Sequence, residues 1–78
     1  MSQIEQARKS LIEIALNEIR DIPQHSNFYL STYYVVAKLG LQREAKAEGL
    51  FDTADWNNVD CRDAIFERIK GFLIKNIR

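Results

Sequence analysis

The chain has 78 residues, of which 46% are hydrophobic and 28% charged, and its formal net charge is zero. This composition is typical of a folded globular chain, not of a disordered one, and it argues against a protein that binds nucleic acid non-specifically over its surface. Cys61 is the only cysteine, so an intrachain disulfide is excluded. The N-terminus lacks the pattern of a secretory signal. We therefore expect a cytoplasmic protein that forms one helical domain over residues 1–78.

The first predicted element is an amphipathic helix. Ser2 and Glu5 have the spacing of a capping box at a helix start. Apolar residues then recur every three or four positions, which indicates a helix with one buried face. Pro23 disfavours helical angles at the residue before it and ends the segment. The stripe predicted to face the core contains Ile4, Leu11, Ala15 and Ile19.

The second element, residues 28–41, has the aromatic and β-branched content of a strand. It lacks a period-two alternation, however, and it ends in Lys-Leu-Gly-Leu, the pattern of a glycine that terminates a helix. We therefore predict a helix, capped by Ser26 or Asn27. Apolar residues lie nearly all round it, which is typical of a central helix or of one covered by a partner. Its predicted core residues are Leu30, Tyr34, Ala37 and Leu41.

The remaining chain predicts two further helices. Residues 42–48 are strong helix formers and end at Gly49. A connector follows, with Leu50, Phe51 and Trp56 as expected buried anchors. Asn58 or Asp60 is expected to cap the last helix. Its core-facing residues are Ile65, Ile69, Phe72 and Leu73. The whole pattern predicts an all-α fold, a compact bundle of three to four short helices with the third at the rim.

No residue pattern in the chain carries a known chemistry. The single histidine, His25, lies in a polar loop, and Cys61 lies on an apolar helix face, where free cysteines behave as small hydrophobic residues. Phosphate-binding glycine motifs are absent. The acidic residues between 52 and 63 lack the spacing of a calcium loop. We therefore expect a protein that is not an enzyme and that has no metal site and no cofactor.

The aromatic residues of the second helix suggest a binding surface. Tyrosine combines a large apolar area with a polar tip, and it is enriched at interfaces. Phe28, Tyr29 and Tyr33 are the predicted partner-binding residues. The sequence leaves open whether helix 28–39 is core within one chain or an interface. The leading hypothesis is a non-enzymatic protein–protein interaction module, acting as a homodimer, an adaptor or an inhibitor, with no membrane and no small-molecule partner.

The alternative hypothesis is a small nucleic-acid-binding regulator. Residues 36–46 partly resemble a helix-turn-helix, with Gly40 as the turn glycine. Val36 stands where a small residue is usual, and Lys46 stands where an apolar residue is usual. In this hypothesis Lys38, Arg43 and Lys46 would contact nucleic acid. A basic strip on the last helix is a second possible contact surface, formed by Arg62, Arg68, Lys70, Lys75 and Arg78.

Overall fold

Four α-helices follow one another along residues 3–77, the part of the chain that the computed structural model describes. The structure is 71% helical, and no strand occurs within that range, so the prediction of a small all-α bundle is confirmed. The expected capping box needs Ser2, which lies outside the described residues. The elements are α1 (Gln3–Arg20), α2 (Phe28–Lys38), α3 (Gln42–Ala47), a 3₁₀ turn (Val59–Cys61) and α4 (Arg62–Asn76).

Two glycines end α2 and α3 in the same way. Gly40 and Gly49 have φ angles of +72° and +67°, in the left-handed region that a side chain disfavours. The amide of Gly40 donates to the carbonyl of Ala37 at 2.9 Å, and that of Leu41 donates to Val36 at 3.1 Å. This pair of bonds is the Schellman motif predicted from the sequence, and α3 ends with the corresponding pair.

Asparagine side chains begin two of the helical segments. The Oδ1 atom of Asn27 accepts a hydrogen bond of 3.1 Å from the amide of Leu30, which makes Asn27 the cap of α2. Asn58 accepts one of 3.0 Å from the amide of Asp60 and begins the 3₁₀ turn before α4. Of the alternatives open at each place, the structure therefore selects Asn27 and Asn58.

The core lies where α1 and α2 pack together and where α1 packs on α4, with the connector between α3 and α4 closing one side. Seven predicted core residues are buried and thus confirmed: Ala15, Ile19, Trp56, Ile65, Ile69, Phe72 and Leu73. The other buried residues are Ile12, Leu16, Phe28, Thr32, Val35, Val36, Ala45, Leu50 and Ile77.

The predicted core face of α1 is wrong in its first half. Ile4 and Leu11 are 75% and 42% exposed, whereas Ile12 and Leu16 are buried. The helix carries two apolar stripes roughly a third of a turn apart, and both have helical spacing. Periodicity alone cannot choose between them, because the choice depends on which stripe meets the other helices.

The predicted core face of α2 is wrong for the same reason. Leu30 and Tyr34 are 59% and 69% exposed, and Thr32, Val35 and Val36 are buried in their place. A helix that is apolar all round offers no polar face to mark its outside, so its orientation is decided by packing. The two other predicted core positions of this segment are half-buried: Ala37 and Leu41.

Arg62 fixes the loop between α1 and α2 against α4. Its guanidinium donates to the carbonyls of Ile22, Pro23 and Gln24 at 3.0, 3.2 and 3.3 Å. The same group lies 4.3 Å from the ring centroid of Phe28, a cation–π distance. The start of α2 is therefore held to the start of α4 by a single side chain.

Arg68 fixes the connector between α3 and α4. It donates to Oγ1 of Thr53 at 2.8 Å and to the carboxylate of Asp55 at 3.2 and 3.3 Å. Oγ1 of Thr53 also donates to the Asp55 carboxylate, at 2.7 Å. The hydrogen bonds that Asp55 accepts from Arg68 and, second, from Thr53 lower its pKa. The guanidinium also lies 5.6 Å from the ring centroid of Trp56. This network holds Trp56 over the core beside α2.

Candidate functional site

The outer face of α2, formed by Leu30, Tyr33 and Tyr34, is the most apolar exposed part of that helix. These residues are 59%, 42% and 69% exposed, so a large part of each is open to solvent. Single exposed apolar residues are ordinary on protein surfaces, but neighbouring large ones mark interaction sites more often. Residues 30, 33 and 34 are neighbours on one helix, which makes them a single patch.

Beside this face lies an open groove of about 630 Å³ between α2, α3 and the connector, here called the aromatic groove. Its aromatic wall consists of Tyr29, Tyr33 and Phe51. The ring centroids of Tyr29 and Phe51 are 5.4 Å apart, and those of Tyr33 and Phe51 are 5.2 Å apart. The other residues that line it are Gly40, Gln42, Arg43, Glu44, Lys46 and Asp52.

The aromatic wall is anchored in the core. Phe51 stacks on Trp56 at a centroid distance of 4.9 Å, and Tyr29 meets Trp56 edge-on at 5.8 Å. Trp56 itself is 3% exposed and contacts Phe28 at 5.9 Å. Such ring contacts are worth about 0.5–1.5 kcal/mol each beyond area burial. The wall of the groove is therefore a preformed surface.

The polar side of the groove carries charges of both signs. Arg43 and Lys46 are exposed, and neither makes an ion pair within the described range. Glu44 is half-buried, and its Oε2 atom is fully buried without a hydrogen-bond partner among residues 3–77. Asp52 lines the same groove. A buried carboxylate oxygen without a donor is unfavourable, so a hydrogen-bond donor that reached it would stabilise it.

The three predicted partner-binding residues occupy different environments. Phe28 is 3% exposed and belongs to the core, so it offers no contact surface in this structure. Tyr29 is half-buried and Tyr33 exposed, and both line the aromatic groove. Sequence reasoning missed Phe51 as a wall of the groove, because it expected that residue only as a buried anchor. It also assigned the exposed Leu30 to the core.

The three residues predicted to contact nucleic acid also lie in different places. The Nζ atom of Lys38 is 2.5 Å from Oε1 of Glu18, so this cation is paired with α1. Arg43 and Lys46 lie in the aromatic groove, beside Tyr29 and Tyr33. The structure therefore joins residues from the two hypotheses at one site and leaves Lys38 outside it.

The segment from α2 to α3 has a helix–turn–helix path, but α3 has only six residues. Its buried residue is Ala45, five positions after Gly40. On α4, Arg62 and Arg68 are bonded within the chain, and Nζ of Lys75 lies 3.5 Å from Glu48. The basic strip is thus largely engaged in internal contacts; its last predicted member, Arg78, lies outside the described residues.

The single histidine and the single cysteine lie apart from the groove. His25 lines a shallow polar depression of about 330 Å³ with Asn57 and Arg62, and Cys61 is a half-buried residue of the 3₁₀ turn. Within residues 3–77, no three histidine, cysteine or carboxylate side chains are grouped so that they could hold a metal ion. In the same range, no helix combines the length and apolarity needed to cross a membrane.

The candidate site is thus the aromatic groove together with the adjoining outer face of α2. Tyr33 belongs to both, and its exposed ring joins them into one surface. The surface combines aromatic area with charges of both signs. Compared with protein-family models, with curated proteins and with solved structures, the chain has no match.

Proposed function

We propose that this protein is a non-enzymatic interaction module of the cytoplasm, which binds a protein partner or a second copy through the outer face of α2 and the aromatic groove. The observation that carries the proposal is the outer face itself. Leu30, Tyr33 and Tyr34 remain 59%, 42% and 69% exposed, although the chain is short of buried apolar area. Tyrosine is enriched among residues that dominate binding energy at interfaces.

The surface has the composition of a protein-binding site. Protein interfaces combine an aromatic and apolar centre with a polar rim, and here the aromatic wall adjoins Arg43, Lys46 and Asp52. The rigid wall also favours binding, because a preformed surface loses little conformational entropy when a partner docks. An adaptor or an inhibitor would use such a surface in the same way.

The nucleic-acid alternative has one supporting observation, the position of Arg43 and Lys46 beside aromatic rings. Cations and aromatic side chains together are the usual means of binding single strands. The carboxylates of Glu44 and Asp52 in the same groove oppose it, because they repel phosphate. Mixed charges favour a protein partner.

The test is a binding measurement with Tyr33→Ser. Partners captured from cells are purified and their affinity is measured by calorimetry, and self-association is measured by sedimentation. We expect Tyr33→Ser to weaken binding about tenfold or more, because an aromatic contact at the centre of an interface is typically worth at least about 1.4 kcal/mol. Helical circular dichroism should stay unchanged.

Ile74→Ala on α4 is the matched control, since Ile74 is 47% exposed and lies outside the candidate site. We expect this variant to bind like the original protein. Equal binding by Tyr33→Ser and the original chain would refute the proposal. Recovery of nucleic acid, with binding that falls steeply as salt rises, would favour the alternative.

A further inference from the structure

The aromatic groove also has features that select the chemistry of what binds in it. Along one wall, the ring centroid of Phe51 lies 5.4 Å from that of Tyr29 and 5.2 Å from that of Tyr33. The faces of aromatic rings carry partial negative charge and attract a guanidinium or ammonium group. The protein uses this contact internally, where Arg62 lies over Phe28 and Arg68 over Trp56.

The carboxylates of the groove point to the same kind of ligand. Oε2 of Glu44 is buried without a hydrogen-bond donor, and no other atom within residues 3–77 supplies one. The terminal torsion of glutamate is broad, so this carboxylate can turn towards an incoming donor at little cost. Asp52 lies in the same lining. A cationic side chain would satisfy the buried oxygen and meet the aromatic wall together.

Arg43 and Lys46 affect which residues can stand beside the bound cation in the ligand. Both are exposed and lack an acidic partner in the described part of the chain. They would repel a ligand that is basic throughout, but they would attract acidic residues on either side of a single cation. The charges that line the groove are therefore complementary to a basic residue with acidic neighbours.

We propose that the aromatic groove receives the side chain of one arginine or lysine from a peptide segment of the partner, flanked by acidic residues. This inference rests on the proposed function and names the chemistry of its partner. The guanidinium or ammonium group lies against Tyr33 and Phe51 and donates to Glu44. The flanking carboxylates pair with Arg43 and Lys46.

The test compares two synthetic peptides in a nuclear magnetic resonance titration of the full chain. One is acetyl-Gly-Asp-Arg-Asp-Gly-amide, and the other has norleucine in place of arginine. We expect the arginine peptide to shift the amides of Tyr29, Tyr33 and Phe51 in a saturable way at millimolar concentration. The norleucine peptide should bind about tenfold more weakly, because it keeps the apolar stem but loses the charge.

Two variants of the protein test whether the arginine peptide binds at Glu44. Glu44→Gln should weaken the arginine peptide about tenfold, whereas Glu67→Gln, an exposed carboxylate on α4 outside the groove, should leave the affinity within about twofold of the original. Equal binding of the two peptides, or no saturable shift with the arginine peptide, would overturn the inference. The peptide comparison needs no change to the protein, so it holds even if Glu44→Gln folds poorly.

Two further outcomes separate this inference from the proposed function. A partner whose binding depends on Tyr33 but not on Glu44, and that presents no basic residue, would overturn the inference and leave the function intact. Single-stranded oligothymidylate that shifts the groove amides and binds more tightly to Glu44→Gln would assign the groove to nucleic acid. That result would refute both.

Discussion

Both faces of α2 are largely apolar, so this helix departs from the usual rule of apolar inside and polar outside. The inner face buries Phe28 and Val36 but also Thr32, whose hydroxyl has no hydrogen-bond partner in the described part of the chain. The outer face exposes Leu30 and Tyr34. Apolar character alone therefore does not decide which face is buried. The compact, β-branched side chains lie inward, where helices approach closely, and Phe28 joins them because it packs on Trp56. The other large side chains of the helix remain at least partly exposed.

The largest expected difference in stability is between two variants, each of which removes an aromatic residue from one face of α2. Phe28→Ala should lower the free energy of unfolding by about 3–5 kcal/mol, because it removes a buried ring that contacts Trp56. Tyr34→Ala should change it by no more than about 0.5 kcal/mol, since that side chain is 69% exposed. Urea unfolding followed by circular dichroism measures both. Similar losses in the two variants would show that the outer face is covered in solution.

A smaller effect of opposite sign is expected on the inner face. Thr32→Val should raise the free energy of unfolding by about 1 kcal/mol, because it replaces a buried, unpaired hydroxyl with a methyl group of similar size. Thr32→Ser is the control. It keeps the hydroxyl and loses a buried methyl, so it should destabilise the fold by about 0.8 kcal/mol. A destabilised Thr32→Val variant would mean that the hydroxyl has a partner in solution.

The smallest expected change in stability concerns the connector between α3 and α4, which covers the inner face of α2. The hydrogen bonds of Arg68 lower the pKa of Asp55 in the folded chain, so the ionised carboxylate stabilises the fold above about pH 4, the ordinary value for aspartate. That contribution is lost as the pH falls through the lowered pKa. We therefore expect Asp55→Asn to have a lower free energy of unfolding than the original chain at pH 7. This difference should shrink when unfolding is measured in acid.

Asp21→Asn, which changes an exposed carboxylate beyond the end of α1, is the control for this comparison. The difference in unfolding free energy between Asp21→Asn and the original chain should not shrink in acid as it does for Asp55→Asn. If Asp55→Asn is as stable as the original chain at pH 7, the ionised carboxylate of Asp55 contributes nothing to the stability of the fold.

The sequence predicted the helices better than their orientations. Pro23, Asn27 and Gly40 act on backbone torsions and hydrogen bonds within a few residues, so their effects can be deduced locally. The buried stripe of α1 could not be deduced, since Leu11 and Ile12 belong to alternative stripes of equal periodicity. Which of them is buried depends on α4, whose residues are about fifty positions away in the chain.

The candidate site was predicted in part. Tyr29 and Tyr33 could be named from residue chemistry, because tyrosine suits an interface wherever it is exposed. Phe51 and Glu44 could not be joined to them. They reach the groove only because the turn at Gly40 brings α3 back beside α2 and because the connector folds Phe51 against Tyr29.

By itself, the sequence determined that this chain is all helical, where most of its helices end, and that four of its eight aromatic residues lie on one helix. These properties depend on short-range forces between residues close in the chain. The tertiary structure alone decided that Phe28 is core and Tyr34 surface, and that Arg43, Glu44 and Phe51 share a groove with Tyr33. Burial and contact between distant residues depend on how whole helices pack, and packing is a property of the folded chain.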